Sequence, residues 1–315
     1  MKPSPPADVD QHIARPARAR TNYAIFAAIA GTIGWAGVAL DQATGAPRGN
    51  SLGMGLWILI PAVAAVLLSR FRPDGGGPLG LTLQFPDRTR WFALAALLYL
   101  PYTAIIVLAG IAAGVGTFQA TGQAGKPGLV AAMVTALPAL LLKNTLEELT
   151  WRGYGTRTAV ATGLPRLGSH VLVGVTWGLW HLPLYAYFLP RADFGATTSL
   201  SWPLFLPVFF AGTIAAAVVF GELRLRTGSI WPGVVMHTVN GAVVGTLILN
   251  GHLHYSGHGD ALFSPASNSI ASIVLLGLVG LALLPRRSSH QRAAAAAGPS
   301  PVMDDHRDHK AAGTA

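Results

Sequence analysis

Three short stretches of the chain carry residue types and spacings suited to hydrolytic chemistry. Glu147 and Glu148 stand side by side at the end of an apolar run over residues 128–146, and Arg152 follows Glu148 by four. Two later apolar runs each carry a histidine: His181 within residues 175–183, and His237, with Asn240 three positions on, within residues 231–241. A carboxylate meeting two imidazoles can act in more than one way. It can take a proton from water while the imidazoles polarise it or hydrogen-bond a developing oxyanion. Alternatively, Glu147, His181 and His237 can ligate a divalent metal such as zinc, giving the three ligands and open position of catalytic zinc sites. The same three groups could also relay protons in a coupled transporter. Spacing alone leaves these open, and the helical zinc-protease motif HExxH is absent from the sequence.

If the helix runs on through Arg152, Glu148 and Arg152 share a face and pair, while Glu147 lies about 100° further round. One acid is then braced and the other is available to a site. Lys143, four residues before Glu147, is a competing partner for it.

The elements that must position these groups are membrane helices. Of 315 residues, 51% are hydrophobic and 11% charged, too apolar for an ordinary soluble domain. The net charge of +9 lies in short loops and tails between apolar runs, which points to membrane topology rather than to nucleic acid. The absence of cysteine excludes disulfides, thiolate metal sites and a cysteine nucleophile. Eight apolar runs approach the roughly 20 residues that a bilayer requires: 22–41, 51–69, 91–115, 128–147, 167–189, 202–221, 229–249 and 268–285. The expected fold is all-α, a polytopic membrane bundle of about eight helices.

Arg and Lys crowd every second connection and both termini, eighteen against Arg48, Lys126 and Arg191 on the other side. The positive-inside rule then places both termini in the cytoplasm. High Ala, Gly and Arg usage points to a bacterial plasma membrane. Residues 1–21 read as a disordered cytoplasmic tail, 22–124 as scaffold helices, and 251–287 as an outside loop with the last span. Residues 288–315 read as a second disordered tail. His252, His254, His258 and Asp260 cluster in the outside loop without metal-ligand spacing and read as solvated polar groups.

Glu147-Glu148-Leu149-Thr150-Trp151-Arg152 fits the EExxxR motif of the CPBP family, the CAAX prenyl endopeptidase and bacteriocin-immunity (Abi) proteins. Trp177-Gly178-Leu179-Trp180-His181 resembles the family's FxxxH with Trp for Phe, and His237-Thr238-Val239-Asn240 resembles its HxxxN or HxxxD. The lead-in over residues 223–232 is also similar, and the resemblance covers a core of about 125–250. It implies an intramembrane endopeptidase, sometimes called a metalloendopeptidase, with a water-filled cavity open to the cytoplasm. By the same resemblance Glu147 activates water with help from His181. His237 and a neighbouring Asn hold the oxyanion, and Glu148 with Arg152 orders the site. A glutamate mechanism without bound metal is the reading preferred here, with zinc as the alternative cofactor.

The implied partners are membrane lipid and a membrane-associated peptide or protein, and no nucleic acid. The sequence departs from the motif at one place. The family's Asn or Asp falls four residues after the histidine, where this chain has Gly241, and Asn240 is at three. A catalytically weak or inactive scaffold or immunity protein of the same fold is therefore the second reading.

Overall fold

The computed structural model describes residues 7–285, with side chains from Arg15 onward. Among them, seven helices are long and apolar enough to cross a membrane. They are α1 (Ala7–Thr44, apolar from Arg15), α2 (Leu52–Phe71), α3 (Thr89–Ala112), α4 (Leu129–Ala161), α5 (Arg166–Phe188), α6 (Trp202–Thr227) and α7 (Trp231–Leu249). The protein is an all-α integral membrane bundle. Its outward faces stay apolar, as with Leu108, Leu142 and Leu278, because lipid does not drive them inward. The last apolar helix, α8 (Ile270–Leu283), has 14 residues. At 1.5 Å per residue it spans about 21 Å, short of the roughly 30 Å hydrocarbon core.

Two differences from the expected layout stand out. From Ala7 onward the supposed N-terminal tail is helical and continuous with α1; its Ala and Arg residues are good helix formers that the membrane helix extends. The expected tail over 288–315 lies outside the described residues. Two three-residue strands, β1 (Gly116–Phe118) and β2 (Leu253–Tyr255), pair antiparallel with Thr117 opposite His254.

Each helix that bears a motif residue also widens into a π-helical segment just past it. These segments are Leu149–Thr156 in α4, Leu184–Phe188 in α5 and Gly241–Gly245 in α7. Single π turns inside α-helices concentrate at functional sites, where they re-aim side chains. Gly153 and Gly155, then Gly241 and Gly245, ease the widening in two of them, and Pro183 with no N–H immediately precedes the third.

Aromatic packing fixes the helices around the motif residues. The Trp57 and Trp180 rings stack at 4.2 Å. Each indole N–H also donates to the other residue's carbonyl, at 2.7 and 3.0 Å. Phe26 of α1 packs against Trp151 and Tyr154 in the π segment of α4. At the arginine-rich end, a buried Glu222 of α6 accepts from Arg166 at 2.6 and 2.7 Å and from His170 at 2.8 Å, tying α5 to α6. The connection over residues 73–88 is bonded across this end. Asp74 pairs with Arg157 at 3.4 Å, and the carbonyls of Pro78, Gly80 and Thr82 accept from Arg224, Ile230 and Ser229.

Candidate active site

Four charges line one side of α4 and cancel in pairs. Lys143 bonds to Glu147 Oε1, and Arg152 Nη1 lies 3.2 Å from Glu148 Oε1. Both carboxylates and Arg152 are buried. The i,i+4 pairing of Glu148 with Arg152 is as the spacing predicts. The guanidinium is also sandwiched, 4.1 Å from the Trp177 ring and 4.3 Å from Phe220, which gives a desolvated cation two π faces. Glu147 is less free than its helical position suggests. Its Oε1 is held by Lys143, and only Oε2 lacks a hydrogen bond among the described residues.

His237 joins the two acids. Its Nδ1 lies 3.0 Å from Glu148 Oε1, and its Nε2 lies 4.0 Å from Glu147 Oε2. An ionised carboxylate only accepts, so Nδ1 carries the proton and donates, and Glu148 fixes the ring's tautomer and orientation. Arg152, Glu148, His237 and Glu147 thus form one connected polar chain. Gly233 makes this geometry possible. A Cβ built there would sit 2.5 Å from Glu148 Oε2, so α7 reaches the carboxylate only because that position has no side chain.

His181 and His237 are brought together around Trp177, whose ring lies 5.5 Å from one and 5.8 Å from the other, edge-on to both. His181 Nδ1 donates to the Trp177 carbonyl at 2.9 Å. Both imidazoles, together with Asn240 and Gly241, line a cavity of about 230 Å³. His181 stands two residues before Pro183, in the last turn before α5 widens. The remaining lining, including Tyr185, Thr197 and residues 266–268, comes from the half of the bundle that carries the connections 189–201 and 250–269. The lining includes none of the arginines of the arginine-rich end, across which residues 74–82 bond.

Asn240 does line the cavity beside His237, one turn on. At Gly241, where the motif places an amide, a Cβ would meet Leu140 at 3.0 Å. Several contributors were not singled out from sequence: Gly233, Trp177 and Phe220 as the bed for Arg152, and Asn144, which donates to Thr238 at 3.4 Å. A glycine following Trp-Pro at a helix start was the available signal for the first.

Metal ligation fits poorly. Among the described residues no group of three or more His, Asp or Glu is placed to hold an ion. Glu147 Oε1 already binds an ammonium, which opposes a second cation beside it. In the connection 250–258 the histidines are engaged separately. His252 Nδ1 donates to Gln119 O at 2.8 Å, His254 Nε2 to Gly251 O at 2.9 Å, and His258 Nδ1 bonds Ser199 Oγ at 2.9 Å.

Residues 127–243 match the family model described as type II CAAX prenyl endopeptidase Rce1-like. The match spans the three motifs and agrees with the CAAX-protease resemblance of the sequence. It holds the motif-bearing parts of α4, α5 and α7 together with α6, and the family's activity is intramembrane proteolysis. No curated protein matches the chain.

Proposed function

We propose that this Rce1-like protein is an intramembrane endopeptidase in which Glu147 activates the attacking water. The observation that carries this is the 4.0 Å approach of Glu147 Oε2 and His237 Nε2, beside the cavity that His237 and His181 line. Two atoms at that separation can both hydrogen-bond one water at about 2.8 Å, with an angle near ~90° between them. The water then gives its proton to Glu147 as its oxygen attacks the peptide carbonyl carbon. His237 accepts the water's other hydrogen at Nε2, kept an acceptor by the Glu148 contact on Nδ1. Asn240 donates to the oxyanion, and His181 orients the water. Glu147 returns the proton to the leaving amine nitrogen as the C–N bond breaks.

The charge pattern supports an orientation with the arginine-rich end in the cytoplasm of a bacterial plasma membrane. In that orientation the cavity lies in the opposite half of the bundle, and substrate reaches it laterally or from the far side. The site takes a membrane-associated peptide, and a metal is not required by the residues present.

The test is cleavage of reporter peptides, prenylated and plain, by the purified protein in lipid nanodiscs, with and without a chelator. The expected result is one internal cut that resists chelation. Failure to cut any peptide would favour the scaffold reading. Loss on chelation with recovery on added zinc would favour the metal reading.

A further inference from the structure

Between the short helix Gly259–Phe263 and α8, residues 264–269 are non-helical and penetrate the bundle. Their depth is marked by Gly212, ten residues into α6, where an ideal Cβ would fall 1.5 Å from the Ser267 carbonyl oxygen. Irregular backbone at such depth is tolerated where it is buried in protein or lines a cavity. This segment does both, and it is held firmly. Tyr102 Oη donates to Pro265 O at 3.1 Å, and Ser269 and Ser272 hydroxyls donate to Ser264 O at 2.6 and 2.7 Å.

Asn268, 5% exposed, lines the same cavity as His181 and His237. Its Nδ2 donates to Thr197 O at 3.2 Å. That partner fixes the amide, because the flipped rotamer would set two acceptor oxygens against each other. Its Oδ1 is buried and has no hydrogen-bond partner among the described residues. A buried, unmatched carbonyl costs stability unless something pairs with it.

We infer that Asn268 is a substrate-binding residue whose Oδ1 accepts a backbone N–H of an extended peptide held in the cavity. Asn268 lies outside the matched segment 127–243, so the family model does not assign it. It also adds a second amide to a cavity whose position 241 has none. The inference rests on the proteolytic reading, and its test separates the two.

The experiment methylates each backbone nitrogen of the reporter peptide in turn and measures KM and kcat with the wild-type protein and with N268A. One methylated position should raise KM roughly tenfold in the wild type, the effect of one neutral hydrogen bond. N268A should raise KM for the unmodified peptide by a similar factor at unchanged kcat, with no further loss from that methyl group. If N268A does not fold, the methyl scan on the wild type still decides. No sensitive position, or additive losses in the variant, overturns the inference. If the wild type binds but does not cut, the proteolytic reading fails while fluorescence anisotropy with the same peptides still tests Asn268.

Discussion

Arg152→Ala removes the guanidinium beside Glu148 without touching the water-activating acid. In the wild type its Nη1 is 3.2 Å from Glu148 Oε1 and the group lies between the Trp177 and Phe220 rings, with 1% of its side chain exposed. Removing one partner of a buried pair typically costs about 3–5 kcal/mol, because the other charge is left uncompensated. The lost cation–π contacts add on the order of 1–2 kcal/mol. A total near ~5 kcal/mol should lower Tm by on the order of 10 °C or more. The assay is thermal unfolding of the detergent-solubilised protein, followed by intrinsic fluorescence. The double variant Glu148→Gln/Arg152→Ala separates the two contributions. With the uncompensated charge gone, it should regain most of the loss while remaining inactive, since an amide can turn either its oxygen or its NH2 to Nδ1 and no longer fixes the His237 tautomer. Wild-type Tm for Arg152→Ala, or no recovery in the double variant, would refute the reasoning.

Other consequences follow from the same geometry. Gly233→Ala places a methyl 2.5 Å from Glu148 Oε2 and displaces the carboxylate from His237; kcat should fall about 10–100-fold, as for other groups that orient a catalytic ligand. A full-rate Gly233→Ala would show that this contact is idle. Lys143→Met leaves Glu147 Oε1 unpaired, and because Lys143 is 35% exposed, the expected stability loss is about 1–2 kcal/mol, between exposed and buried pairs. It is measured by the shift of the unfolding midpoint, and an unchanged midpoint counts against the pair. The chain has no cysteine, so single cysteines at Arg88 and Gln123 report topology directly. A membrane-impermeant maleimide should label only Gln123→Cys in intact spheroplasts, and the reverse pattern would invert the proposed orientation.

Much of the frame was readable from residue type and spacing. Apolar run length located the spans, because a bilayer sets one length for all of them. The four-residue step from Glu148 to Arg152 announced their pair, because the helix continues. What was hidden depends on contacts between distant segments. His237 is oriented by Glu148 rather than left to meet Glu147 alone, and that follows from how closely α7 approaches at Gly233. The π segments escaped a 3.6-residue periodicity because they change it. Residues 264–269 read as loop and helix start, since nothing local says that a Ser-Pro-Ala-Ser-Asn-Ser run will enter the bundle and face the cavity.

The most direct test of the central claim is the rate at which Glu147→Gln cuts a reporter peptide that the wild-type protein cuts, measured at matched amounts of folded protein. The substitution keeps the shape of the side chain and removes the base. Turnover should fall by at least about 10²–10⁴-fold, the usual share of a general base, while Tm stays close to that of the wild type. Cleavage by Glu147→Gln at the wild-type rate would contradict the account.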